Sequence, residues 1–127
     1  MANTILVIDD ELDILTLAIA RLETSGYNVL KAETAEEGLA ILKKKRPDLI
    51  LLDILLPGMQ GDELCRMLKK DSRLKSIPVI LFTASIVRVP AKIKEIGADD
   101  YIIKPFEPDM LIYKIKRLID HIPGIVR

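Results

Sequence analysis

Five short apolar runs alternate with five longer amphipathic stretches, and nothing else in the chain constrains its fold as strongly. The runs fall at 4–8, 27–31, 49–52, 78–82 and 101–103. Two of them, "LILL" and "PVILF", carry no polar residue at all. A strand with one wet face alternates apolar and polar residues; a strand apolar on both faces has to be covered twice. The stretches between them, at 11–25, 33–45, 61–71, 87–96 and 107–121, space their apolar residues as helices do. Leu15, Ala18, Ile19 and Leu22 mark one helix face. Leu64, Met67 and Leu68 mark another, and Leu111, Ile115, Leu118 and Ile119 a third. Gly26 sits where a C-terminal cap belongs, and Thr34 with Glu37 three residues on has the capping-box pattern. Pro90 must lie in the first turn of its helix or break it. Strands alternating with helices specify an α/β fold, a single-domain doubly wound parallel sheet with helices on both faces. The domain is expected over 1–122, with 123–127 as a tail or linker stub.

Composition narrows the function classes. Lys plus Arg equals Asp plus Glu at 19 each, so no global charge pulls the chain toward nucleic acid or an anionic membrane. With no Trp and five Tyr and Phe, a base-stacking surface is not expected either. No apolar run approaches the roughly 20 residues of a membrane span, and the N-terminus lacks a signal-peptide pattern. Cys65 is alone, which excludes an internal disulfide framework and fits a reducing compartment. A cytoplasmic location follows as the expectation. Cys65 reads as a small core residue, and His121 is given no role.

In open α/β sheets, ligands bind beyond the carboxyl ends of the strands. The first run ends at Asp9-Asp10, the third at Asp53, the fourth at Thr83-Ala84-Ser85 and the fifth at Lys104 before Pro105. Taken singly, each has a plain reading: helix cap, turn former, strand-end hydroxyl, solvated charge. Taken together, three carboxylates at neighbouring strand ends repel one another unless something neutralises them. A hard divalent cation does so, and Mg²⁺ accepts carboxylates, carbonyls and water. Lys104 is a point charge suited to phosphate. These are the parts for phosphoryl transfer onto a carboxylate.

The residues resemble the receiver domain of two-component response regulators over nearly the whole length. The matching pieces are "ILVIDDE" at 5–11, "PDLILLDILLPGMQG" at 47–61, "PVILFTA" at 78–84 and "GADDYIIKPF" at 97–106. The resemblance implies a flavodoxin-like sheet of order 2-1-3-4-5. It implies Asp53 as phosphoacceptor, with Mg²⁺ (or Mn²⁺) held by Asp10 directly, by Asp9 through water, by Asp53 and by the Leu55 carbonyl. It implies Thr83, Ala84 and Lys104 around the phosphoryl group, Thr83 and Tyr101 as the switch pair, and a cis Lys104–Pro105 bond. It implies a histidine kinase or histidine phosphotransfer protein as donor, and a downstream protein or self-dimer reading the surface of helix four, strand five and helix five. It implies no membrane contact and no direct nucleic-acid contact by this domain. It also implies a domain that takes a phosphoryl group on itself and loses it slowly, not a conventional enzyme. Gln60 and the apolar, Pro-containing 85–96 depart from the common pattern; Ile86, Val87 and Val89 could dock a partner or pack inward. A non-phosphorylated receiver-like binding domain is the alternative. An aspartate-nucleophile phosphatase would want a second Asp where Leu55 stands, and a flavin carrier would want a Ser/Thr/Gly loop where Asp9-Asp10-Glu11 stands. The chain reads equally as a single-domain regulator or a piece of a longer regulator or hybrid kinase.

Overall fold

A computed structural model describes residues 3–13, 15–83 and 89–119. The strands are β1 (Thr4–Ile8), β2 (Asn28–Ala32), β3 (Leu49–Asp53), β4 (Val79–Thr83) and β5 (Asp100–Ile103). The helices are α1 (Thr16–Thr24), α2 (Ala35–Lys44), α3 (Gly61–Lys70), α4 (Val89–Ile96) and α5 (Pro108–Ile119). All neighbouring strands pair in parallel, in the order β2-β1-β3-β4-β5. The central strands β3 and β4 are buried at every position, as two-sided coverage requires.

Two apolar clusters flank the sheet. On one face Ile5, Val7, Leu49, Leu51, Ile80 and Phe82 pack under Ala18, Ile19 and Leu22 of α1 and Leu111, Ile112 and Ile115 of α5. On the other, Leu6, Ile8, Ile50, Leu52 and Leu81 pack under Leu42 of α2, Leu64, Cys65 and Leu68 of α3 and Ile96 of α4.

Four details differ from the sequence expectation. α1 begins at Thr16 rather than at 11, because the Asp9 side chain accepts the Glu11 amide (2.9 Å) and holds that stretch as a loop. Met67 is 46% exposed and does not share the inward face of α3. At 100° per residue, the buried Gly61, Leu64, Cys65 and Leu68 span an arc of about 100°, and Met67 lies about 110° from its middle. Other element ends move by one to two residues, which is the ordinary latitude of helix and strand ends. Thr34 caps α2 by accepting the Glu37 amide (3.0 Å), while Glu37 reaches back to the Glu33 amide (2.9 Å) rather than to that of Thr34. Pro90 lies in the first turn of α4. Ala84, Ser85, Ile86, Val87, His121 and the 123–127 tail lie outside the described residues.

One contact fixes the start of α3. A Cβ placed on Gly61 would run into the backbone carbonyl oxygen of Asp53 and the Cα of Ile54. The Gly61 amide also donates to the Ile54 carbonyl (2.9 Å). Only glycine lets the helix approach the end of β3 this closely.

Candidate functional site

Strand register brings the polar ends together. Ile8 lies beside Leu52, so Asp9 and Asp53 end neighbouring strands in the same row. Asp53 pairs with Phe82, and Phe82 with Ile102, two residues before Lys104. Side chains alternate across a sheet. Asp9, Asp53, Phe82 and Lys104 therefore share the face covered by α1 and α5. Thr83 and Tyr101 belong to the opposite face, with Leu81, and Tyr101 packs on the cluster there.

Asp9 is fully buried, and Asp53 is 4% exposed. Lys104 Nζ donates to Asp9 Oδ2 (3.0 Å) and to Asp53 Oδ2 (3.3 Å), and lies 4.6 Å from the centroid of the Phe82 ring. The Leu55 amide donates to Asp53 Oδ1 (2.9 Å), while the Leu55 side chain is 61% exposed. Leu55 thus turns its side chain outward and its backbone amide toward the carboxylate, while Ile54 and Leu56 on either side are buried. Asp10 is exposed beside this group, and Thr83 is buried at the end of β4. The Lys104–Pro105 bond is cis.

Burial dominates the electrostatics of Asp53. Desolvation pushes its carboxyl pKa up from 3.8 to about 6, against the Leu55 amide and the Lys104 charge, which pull it down, and with help from the Asp9 charge. For Lys104, burial disfavours the ammonium, but the hydrogen bond to Asp9 and the charges of Asp53 and Asp9 outweigh it and raise its pKa. Carboxylate oxygens of Asp9, Asp10 and Asp53 lie within 4.8 Å of one another. Three hard anionic donors, one on an exposed residue, suit an oxygen-seeking divalent cation of the Mg²⁺ type. The burial and mutual repulsion that raise the Asp53 pKa are what such a cation would relieve.

The raised pKa has a consequence for stability. An acid whose pKa rises on folding holds its proton more tightly in the native state. Its ionisation costs nothing below about pH 4, a growing amount between pH 4 and 6, and the full amount above pH 6. Asp53→Asn keeps an acceptor for the Leu55 amide and leaves Asp9 as partner of Lys104. It should stabilise the metal-free protein at pH 7.5 by about 1–2 kcal/mol, a few degrees in melting temperature, and leave it unchanged at pH 4. Thermal melts at both pH values check this. Saturating Mg²⁺ should narrow the difference at pH 7.5 by stabilising the unsubstituted protein.

Nothing in residue spacing marks Phe82, whose ring supports Lys104, or Gly61, whose missing Cβ makes room behind Asp53. Cys65 is buried, its thiol pKa pushed up by desolvation to about 11, and it takes no part in the site.

Residues 5–116 match the family described as the response regulator receiver domain. The chain is 43% identical over 121 residues to the phosphate regulon transcriptional regulatory protein PhoB of Pseudomonas aeruginosa, covering 94% of this chain and 52% of that protein. It thus spans about half the length of the curated relatives it matches. The receiver domain of a signal transduction histidine kinase from Syntrophus aciditrophicus is 36% identical with a TM-score of 0.86, covering 98% of this chain and 96% of that one. The receiver domain of the sensor histidine kinase PA1611 from Pseudomonas aeruginosa PAO1, solved with a magnesium ion coordinated in its active-site cleft, is 25% identical. Its TM-score is 0.85, over 95% of this chain and all of that one.

Proposed function

This chain belongs to the response regulator receiver domain family, and from that premise we propose that Asp53 accepts a phosphoryl group from a phosphohistidine on a histidine kinase or histidine phosphotransfer protein. The observation that carries this reading is the environment of Asp53. Its carboxylate ends a buried strand, faces Lys104 and Asp9, and is held at one oxygen by a backbone amide.

The Asp53 carboxylate attacks the phosphorus in line. The P–O bond forms as the P–N bond breaks, and the electron pair leaves on the imidazole nitrogen. Lys104 turns from Asp53 toward the incoming phosphoryl oxygens and keeps Asp9 as its second partner. The Thr83 hydroxyl and the Ala84 amide donate to the remaining oxygens. Asp9, Asp10, Asp53 and the Leu55 carbonyl would hold Mg²⁺ or Mn²⁺, which when bound spreads the negative charge gathering on the phosphoryl oxygens. The acyl phosphate adds roughly one to two negative charges. Thr83 then draws toward the phosphoryl group, Tyr101 follows on the same sheet face, and the surface of α4, β5 and α5 changes for a downstream protein or a second copy. Water ends the cycle by slow hydrolysis, so the domain turns over no small substrate of its own. The reading places the domain in the cytoplasm, as the unit over 1–122.

A cleft of about 150 Å³ beside Lys104 supports a donor docking at α1. Leu15 just before α1, Leu17 and Ala18 of α1, and Pro105, Phe106 and Pro108 after β5 line it. Leu17 is 79% exposed there. Leu17→Glu is expected to slow transfer from a phosphohistidine protein at least about tenfold, roughly the worth of one desolvated apolar anchor. Transfer from acetyl phosphate should not change. Equal slowing with both donors would remove the docking role.

The reading as a whole is tested by intact mass. Incubation with acetyl phosphate and Mg²⁺ should add one phosphoryl group, lost on chelation of the metal before the donor is added. No adduct with acetyl phosphate, phosphoramidate or any histidine kinase would leave a non-phosphorylated binding domain as the answer.

A further inference from the structure

The formal charge of the chain is zero, but its exposed charges are unevenly distributed. Every strand is parallel and each connection runs through a helix, so every helix C-terminus lies at the N-terminal edge of the sheet, away from Asp53. At that edge the run "KKKR" at 43–46, together with Lys70, Arg73 and Lys75, is exposed throughout. Two contacts show that these groups form one surface. Arg46 donates to the Ser76 hydroxyl (2.7 Å), and Arg73 donates to the Leu42 carbonyl (3.0 Å), joining the end of α2 to the turn after α3.

Complementing helix dipoles explains only part of this. Lys43, Lys44 and Lys70 lie in last turns, where cations are favoured. Lys45, Arg46, Arg73 and Lys75 lie beyond the helix ends. Among the described residues none of the seven is ion-paired. Asp71, the nearest acid in sequence, spends its Oδ1 on the Arg73 amide (2.8 Å). The guanidiniums of Arg46 and Arg73 each keep further N–H donors beyond their neutral partners. The opposite end carries exposed Asp10, Glu11, Asp13 and Glu33. Five-residue strands separate the two ends by about 16 Å, beyond the Debye length of about 8 Å at physiological salt. Each end therefore meets a partner with its own charge.

We propose that the basic end is a docking surface for an anionic lipid bilayer. A broad negative plane engages all seven cations at once, whereas the surface has no aromatic side chain to stack on nucleic-acid bases. The acidic end is repelled by the same plane. The domain would sit with Asp53 facing away from the lipid, open to its phosphodonor. This surface is independent of the phosphoacceptor reading and uses none of its residues.

Cosedimentation of the full chain with vesicles tests it. Binding is expected to phosphatidylcholine vesicles containing about 30% phosphatidylserine and not to phosphatidylcholine alone, and it should weaken at least about tenfold between 50 and 200 mM salt. Each cation contributes roughly fivefold in affinity. Lys43→Glu with Lys45→Glu and Lys75→Glu should therefore cost more than about a hundredfold, and the three Gln substitutions a smaller part, in variants that still unfold cooperatively and lose no more than a few degrees of melting temperature to the charge at the end of α2. Lys31→Glu, at the opposite edge, should have no effect. Absence of vesicle binding at 50 mM salt, or binding unaltered by the triple charge reversal, overturns the proposal. Tighter binding to duplex DNA than to anionic vesicles at matched salt also overturns it and makes the partner a nucleic acid.

Discussion

Asp53→Ala is expected to abolish the phosphoryl adduct that acetyl phosphate and Mg²⁺ place on the unsubstituted chain. The other two carboxylates of the cluster are poor substitutes for physical reasons. Asp9 is fully buried, whereas Asp53 keeps a little exposure, so a phosphodonor has no access to Asp9. Asp10 is exposed, and nothing shown holds it in line with Lys104. Orientation of this kind accounts for many orders of magnitude in reactions between groups held together. Transfer to either should fall by at least about a hundredfold. Intact mass with peptide mapping is the measurement. An adduct that persists at wild-type rate in Asp53→Ala, at any residue, would move the acceptor elsewhere. Lys104→Met gives the complementary result. It removes the cation that Asp53 and Asp9 share and should leave Asp53 harder to ionise without metal, because the charge that lowers its pKa is gone.

Gly61→Ala is expected to have the largest effect on stability of any single-methyl change in the chain. The added Cβ has nowhere to go, since it meets the backbone of Asp53 and Ile54 rather than the end of a mobile side chain. Relief requires α3 to slide away from β3, breaking the Gly61 amide bond to the Ile54 carbonyl and opening the packing of Leu64, Cys65 and Leu68. Overpacking against backbone that cannot move aside falls at the upper end of such costs, about 3 kcal/mol or more. The same motion drags the acceptor, so the fraction that stays folded should also phosphorylate slowly. Gly26→Ala is the comparison. Gly26 has a positive φ of 98° and nothing within 4 Å, so only backbone strain of about 1–2 kcal/mol applies. Urea melts of the two variants separate steric exclusion from strain, and equal costs would dismiss the close-approach account of Gly61.

Much of this architecture was legible because local and global signals agreed. Strands "LILL" and "PVILF" had no face to show to water, which left a doubly covered parallel sheet as the solution, and β3 and β4 are buried throughout. Thr34 and Glu37 marked the start of α2 through side-chain chemistry that acts within four residues. Asp9, Asp10, Asp53 and Lys104 were found by asking what stands at strand ends, and the first three cluster while the fourth bridges two of them. The start of α1 was misplaced because acidic residues before an apolar helical pattern look like a first turn. The Asp9 side chain competes for the Glu11 amide, and that competition depends on where β1 puts Asp9. Met67 was misplaced because the burial arc of α3 is centred by the contact at Gly61, which no periodicity reports. Long-range partners were hidden altogether. Lys69 donates to the Ile77 carbonyl (3.0 Å) and to Asp99 (2.8 Å), tying α3 to the turns that lead into β4 and β5. Charge polarity was hidden behind a net charge of zero until the topology sent the helix ends to one side.

The alternation of β4 places two consecutive residues on opposite sides of the sheet. Phe82 supports Lys104 on the face where chemistry would occur, and Thr83 belongs to the face of Tyr101. The sheet therefore separates two packed layers that meet at its carboxyl edge, where Thr83 follows Phe82. Substitutions on α4 and around Tyr101 lie on the Thr83 side and leave the packing around Phe82 and under α5 untouched. One layer can therefore change while the other is kept, so long as the single step from Phe82 to Thr83 keeps its register.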